Sequence, residues 1–253
     1  MDWLFIERNI PLYIEATKLT LGIGALGVVL SVMIGFLCSM VRYYRVPVLN
    51  RVVGIYIELS RNTPLLIQLF FLYYGLPKIG IKLNAFVIAV IGLTFLGASY
   101  MSEAFRGGLE AVNKIQEESG LSIGLTNPQR MRYIILPQAL AIAMPSVGAN
   151  VIFLLKETSV FSAIALADLM FVAKDLIGMY YKTNEALFML VVAYLIILLP
   201  ISVIFSVLER KARYDGRGFL GVAAGCDRAW QRQGGPDHPG AFFTRGALWK
   251  KRP

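Results

Sequence analysis

Residues 19–41 form an unbroken run of 23 residues without a charge, and this run constrains the chain more than any other feature. As a helix it would be about 34 Å long, enough to cross a hydrocarbon layer of about 30 Å with its backbone polar groups satisfied internally. Residues 85–101, residues 138–155 (with Pro145 and Gly148 inside) and residues 186–208 (broken only by Pro200) repeat the signal. A soluble fold is excluded on the same grounds. The 253-residue chain is 57% apolar and 16% charged, against about 45–50% and about 25% in an ordinary globular domain, more apolar surface than one core of this size can bury.

A fifth apolar segment, residues 52–76, contains Glu58, Arg61, Asn62 and Pro64. It is read as a span whose wet end carries Glu58 and Arg61, three apart and able to pair on one helix face. The expected fold is an all-α integral membrane protein with five transmembrane helices. An odd number puts the termini on opposite sides. Ten basic residues (Arg42, Arg45, Arg51, Arg106, Lys114, Arg130, Arg132, Arg210, Lys211 and Arg213) fall on one side. Six (Arg8, Lys18, Lys78, Lys82, Lys174 and Lys182) fall on the other. Basic residues favour the cytoplasm, so the amino terminus is expected outside and the carboxyl terminus inside.

Two connections are too long to be simple turns. Residues 102–137 carry Glu103, Arg106, Glu110 and Lys114 at helical charge spacing. Asn127-Pro128 then suggests a cap followed by proline at the first helical position. Two short cytoplasmic helices are expected there. On the outer side, residues 162–181 mix apolar residues with Asp168, Lys174 and Asp175, which suits a re-entrant or interfacial helix. In the first span, Gly27, Ser31, Gly35 and Ser39 recur every four residues, a spacing that lets backbones approach closely. Packing within the chain is the preferred reading over contact with a second subunit.

The net charge of +9 raises the question of nucleic acid. Residues 1–219 hold 19 basic and 14 acidic residues (+5), and residues 220–253 hold 6 and 2 (+4). The surplus therefore divides between a short tail and one membrane side, and no nucleic-acid partner is expected. Cys38 and Cys226, one in a span and one in the tail, suggest no structural disulfide. The single histidine, His238, is also in the tail, so neither a Ser-His pair nor a histidine-bound metal is expected inside the membrane. No G-x-x-x-x-G-K-[ST] sequence is present, so the chain has no phosphate-binding loop of its own.

Glu118-Ser119-Gly120, then Gly124, then Ile134-Ile135-Leu136-Pro137 match the spacing of the EAA loop of ABC importer permeases, with Ser119 and Gly120 in place of its two alanines. The stretch Glu58 to Gln68, which includes Arg61, Thr63 and Pro64, resembles the E-L-x-R-G-T-P-L-L-x-Q segment of polar-amino-acid permeases, with Asn62 where glycine is usual. Leu155-Lys156-Glu157-Thr158-Ser159 resembles that family's L-K-[DE]-T-S segment. The likeness extends over residues 10–219. It implies a non-enzymatic permease subunit of the bacterial inner membrane that moves a polar amino acid by alternating access. It also implies a separate ABC ATPase dimer that binds ATP and Mg, a second permease subunit, an extracytoplasmic solute-binding protein and surrounding lipid.

Glu117, Glu118, Ser119, Gly120, Gly124 and Leu125 are then the expected ATPase-coupling residues. Lys156, Glu157, Thr158 and Ser159 are the expected substrate residues, because a helix broken at membrane depth leaves polar groups suited to a zwitterion. Arg61, Thr63 and Gln68 join them more weakly, beside a bend at Pro64 and against the simpler reading of a Glu58–Arg61 structural pair. The competing function is an ATP-independent carrier or channel. Residues 220–253, rich in glycine and proline, lie beyond the resemblance and are expected to be an unstructured, non-native and dispensable tail, or else a basic tail that meets anionic lipid.

Overall fold

The computed structural model describes residues 1–232, and their side chains through Lys211. The described secondary structure is helical: α1 (Trp3–Tyr43), α2 (Leu49–Arg61), α3 (Leu65–Phe70), α4 (Ala85–Glu110), α5 (Lys114–Ser122), α6 (Asn127–Arg130), α7 (Leu136–Glu157), α8 (Leu169–Tyr180) and α9 (Thr183–Arg232). Among the described residues, four stretches are long and apolar enough to cross a membrane: Trp3–Tyr43, Ala85–Glu110, Asn127–Ile164 and Thr183–Lys211. Each contains one of the uncharged runs.

The fifth expected span differs. Residues 52–76 do not form one continuous helix. α2 stops at Arg61, the chain turns at Asn62–Pro64, and α3 passes into a π-helical turn (Phe71–Gly75) and a 3₁₀ turn (Leu76–Ile79). Pro64 causes the interruption, because it has no N–H to give to the carbonyl of Ser60. Side chains satisfy what it leaves open. Thr63 Oγ1 donates to the Leu59 carbonyl (2.8 Å), and Gln68 Nε2 donates to the carbonyls of Ser60 (3.1 Å) and Thr63 (3.0 Å).

The core of the unit Met1–Ala212 is α4 held between α1 and α7. Gly27, Ser31, Gly35 and Ser39 are all buried. A Cβ on Gly27 would fall 2.6 Å from Leu93 Cδ2, and one on Gly35 would fall 2.5 Å from Met101 Cβ and 2.9 Å from the Ala98 carbonyl oxygen. The four-residue repeat therefore packs within the chain, where close backbone approach maximises dispersion contact without help from water. On the α7 side, Gly108 lies against the Ala139 carbonyl and Asn150 Nδ2 donates to the Tyr100 carbonyl (3.2 Å). Met33, Leu37, Val203 and Ile204 remain largely exposed, the apolar surface expected of helices that meet lipid.

The charge spacing near the end of α4 is realised. Arg106 pairs with Glu103 (2.6 Å) and Glu110 (2.7 Å), and Arg42 from α1 approaches Glu103 at 3.7 Å. Lys114 instead opens α5. The cap of α6 is displaced by one residue: Thr126 is the N-cap, with its N–H bonded to Gln129 Oε1 (2.9 Å), and Asn127-Pro128 are the first two helical positions. The expected outer segment resolves into a 3₁₀ turn (Thr158–Ile164) and the 12-residue α8. α8 buries Leu169, Ala173 and Leu176 against Tyr13 and Ala16 of α1 and Ala186 and Met189 of α9. α9 is helical to Arg232, so residues 220–232 are helical where an unstructured tail was expected. Residues 233–253, with His238, lie outside the described residues, as does the side chain of Cys226.

Candidate functional site

Two chain breaks meet beside the middle of α4. The first is the Asn62–Pro64 turn. The second is the end of α7 at Glu157, where the helix gives way to the 3₁₀ turn. Their depth follows from the packing of α7 on α4. Leu154 Cδ1 would be 2.8 Å from a Cβ on Gly97, and Gly97 lies near the midpoint of the 26-residue α4. Hydroxyls of α2 dock that helix at the same level, with Tyr56 Oη (2.6 Å) and Ser60 Oγ (3.0 Å) both donating to the Phe95 carbonyl.

Between the breaks lies a cavity of about 360 Å³ lined by Arg61, Asn62, Thr63, Leu96, Tyr100, Phe153 and Glu157, among others. Arg61 and Glu157, far apart in the sequence and linked by no local sequence rule, thus face one space with opposite charges. Arg61 does not pair with Glu58 as expected. Its guanidinium lies 5.1 Å from the centroid of the Tyr100 ring, and that ring leans on Phe153 with 5.2 Å between centroids. Glu58 instead takes bonds from Asn62 Nδ2, at its carbonyl (2.8 Å) and at Oε2 (3.3 Å).

The other expected substrate residues are placed differently. Lys156 is exposed and outside the cavity wall. Thr158 is fully buried, its hydroxyl donating to the Leu155 carbonyl (2.8 Å). The Ser159 carbonyl accepts from Ser162 Oγ (3.2 Å). Gln68 bridges the first break rather than facing the cavity. Tyr100 and Phe153 were not among the sequence candidates. An aromatic residue in an apolar span carries no local mark, and only the register of α7 on α4 brings these two to Arg61.

The loop between α4 and α7 is built to hold its shape. Just past the end of α5, Gly124 lies in the left-handed region at φ +82°. The Leu125 N–H reaches the Gly120 carbonyl (3.0 Å) and the Gly124 N–H reaches Leu121 (3.0 Å), a Schellman closure that favours glycine at that position. Gly120 is buried beneath Ile134 and Arg130. Arg130 Nη1 reaches the Glu117 carbonyl (3.4 Å) and lies 3.7 Å from its carboxylate, tying α5 to α6. Glu118 and Ser119 are exposed. Ile115, Leu121 and Ile123 are 63%, 60% and 75% exposed, an apolar patch on a polar loop of the kind that marks a docking surface.

Residues 27–214 match the model of the family described as binding-protein-dependent transport system inner membrane component. The chain belongs to this family. It is an ABC importer permease subunit, a multi-pass inner-membrane protein and not an enzyme; ATP hydrolysis belongs to a separate subunit. The glutamine transport system permease protein GlnP of Escherichia coli (strain K12) is 34% identical over 214 residues, covering 84% of this chain and 98% of that one. The probable amino-acid permease protein YxeN of Bacillus subtilis (strain 168) is 34% identical over 212 residues, covering 83% and 93%. Among solved structures, an amino acid ABC transporter crystallised with histidines aligns with a TM-score of 0.78 at 32% identity, over 83% of this chain and 99% of that one. The inward-facing MetNI methionine ABC transporter aligns with a TM-score of 0.65 at 18% identity, over 84% and 99%, a likeness of fold.

Proposed function

We propose that this permease subunit translocates a polar amino acid through the cavity between Arg61 and Glu157. A carboxylate end would be drawn to the Arg61 guanidinium and an ammonium end to Glu157. Opposite charges on two walls suit a zwitterion, and charged groups at membrane depth are costly unless they face a cavity. Thr63 adds a neutral polar group to the same wall. The juxtaposition of Arg61 and Glu157 carries this reading, and the amino-acid permeases among its relatives agree with it.

The finer topology follows. The α2–α3 segment, with its turn, counts as the fifth crossing, the amino terminus is outside, and α8 lies at the outer surface. α5 and the Gly124 turn are the seat of an ATPase dimer that binds ATP with Mg. The exposed Ile115, Leu121 and Ile123 support this reading, as does the spacing from Glu118 to Pro137. A second permease subunit completes the path, and an extracytoplasmic binding protein delivers the amino acid. Residues 220–253 are dispensable, so truncation after Phe219 leaves uptake intact.

Uptake of a panel of labelled neutral, cationic and sulfur-containing amino acids into vesicles reconstituted with the ATPase and binding protein tests the site. Glu157→Gln and Arg61→Gln are each expected to lower uptake about tenfold or more, the scale of losing one charge-assisted contact. Wild-type uptake in both variants refutes the site.

A further inference from the structure

A second polar cavity, of about 320 Å³, lies where the end of α1 meets the loop between α4 and α7. Its volume is at the lower end of small-molecule sites, about 300–1,000 Å³. Its polar lining is Tyr43 and Tyr44 at the end of α1, Glu117 of α5, and Asn127 and Arg130 of α6. The Arg130 side chain is only 12% exposed, yet its charge is loosely answered. Nη1 stands 3.7 Å from the Glu117 carboxylate and reaches that residue's carbonyl at 3.4 Å. Nη2 donates to Asn127 Oδ1, and Nε is buried with no partner. The Arg106 pairs on α4, at 2.6 and 2.7 Å, show how much closer a direct ion pair comes. Tyr43 and Tyr44 set their rings edge to face, 5.4 Å between centroids, and neither hydroxyl has a hydrogen-bond partner among the described residues. Buried donors are nearly always paired. A guanidinium, a carboxylate and two unused hydroxyls around one cavity therefore call for a ligand with an acceptor end and a donor end.

We propose that this cavity binds a small zwitterion, a free amino acid, on the ATPase side of the permease, and that its occupancy slows the ATP-driven cycle. The ligand carboxylate pairs with the Arg130 guanidinium and accepts from the tyrosine hydroxyls, and its ammonium donates to Glu117. A simple anion fits less well, because Glu117 stands 3.7 Å from the same guanidinium and would repel it. A simple cation meets the same objection from Arg130. The zwitterion enters between two groups that tie α5 to α6, and it touches the end of α1 as well. Tyr43 packs on Leu109, Met131, Ile135 and Ala139, so the end of α1 is fixed to the ends of α4 and α7. Occupancy thus fastens α5 to the ends of the spans at the place where ATP-driven movement enters. An importer raises the amino-acid concentration on this side, so the site fills as cargo accumulates. The inference rests on α5 being the ATPase seat and on an amino acid being the cargo. It does not depend on where within the spans the cargo binds.

The test is ATP-driven uptake by the full transporter (permease, ATPase and binding protein) in vesicles preloaded on the ATPase side with unlabelled L-glutamine, L-histidine or L-arginine. Each variant is compared with its own rate in vesicles free of amino acid. At least one of the three is expected to inhibit wild type saturably, whereas preloaded acetate or ammonium is not. Arg130→Gln is expected to raise the half-inhibitory concentration about tenfold. Tyr43→Phe combined with Tyr44→Phe should raise it about fivefold while leaving Arg130 and Glu117 in place. No inhibition of wild type by any of the three, inhibition by acetate equal to that by the amino acids, or unaltered inhibition in Arg130→Gln and in the tyrosine pair overturns the proposal. Loss of ATPase from purified Arg130→Gln, with normal inhibition in the tyrosine pair, assigns the cavity to the ATPase and also overturns it. Arg61→Gln and Glu157→Gln separate this site from the translocation cavity. Inhibition relieved in those two but not in Arg130→Gln places the internal amino acid between the spans and refutes only the present site. Normal uptake in those two, with inhibition relieved in Arg130→Gln, refutes the translocation site and supports this one.

Discussion

Arg61 rests its guanidinium over the Tyr100 ring, 5.1 Å from the centroid, instead of reaching back one turn to Glu58. The ring holds the cation at the cavity wall without neutralising it, so its charge stays available to a ligand. A partly desolvated contact of this kind is worth on the order of 1 kcal/mol. Tyr100→Leu is expected to raise the apparent KM for uptake about fivefold, while Tyr100→Phe keeps the ring and stays near wild type. Equal effects of the two substitutions would show that the hydroxyl, not the ring face, matters.

The contact of α1 with α4 depends on absent side chains. A Cβ on Gly35 would lie 2.9 Å from both the Ala98 carbonyl oxygen and the Ser102 nitrogen, backbone atoms that cannot rotate away. Gly35→Ala should therefore force the helices apart, lowering stability by about 1–3 kcal/mol. Gly22, on the same helix, has nothing within 4 Å of its missing Cβ. Gly22→Ala should be neutral or stabilise by up to about 1 kcal/mol, since Ala is the better helix former. Thermal unfolding of both variants in detergent distinguishes them.

Much of this was legible in the sequence because it depends on local pattern. Uncharged runs located four long helices, and a four-residue repeat of small side chains located the α1–α4 seam. Pro64 marked a bend, but its lost N–H says nothing of the side chains that answer for it, and Gln68 proved to be one of them. Arg61 and Glu157 each stood out as charges in apolar surroundings; that they share a cavity depends on the register of α7 against α4.

The stability of the fold should depend on pH through Asp168. Its carboxyl lies at about 6 in the folded protein against an ordinary 3.8, raised by burial. The native state therefore binds more protons than the unfolded chain between those values. The stabilisation is fully present below about pH 4, falls as pH rises towards 6, and is level above that. The loss is at most about 3 kcal/mol. Unfolding of wild type from pH 4 to 7 should show this decline, and Asp168→Asn should not. A decline of equal size in the variant would place its origin in another group.

The loop at Gly124 separates folding from coupling. Its φ of +82° is a conformation that L side chains rarely adopt, so Gly124→Ala strains the turn by on the order of 1 kcal/mol and should tilt the exposed Ile123 and Leu121. Ile123→Ser changes no backbone preference of that kind; it removes apolar surface from a side chain that is 75% exposed. Both variants should insert and unfold much like wild type, because neither touches the packing around α4. Both should carry less ATPase through purification and lose uptake in proportion, with Ile123→Ser acting through contact area and Gly124→Ala through its orientation. If Ile123→Ser retains its full complement of ATPase and normal uptake, the apolar patch on α5 is not the surface the engine grips.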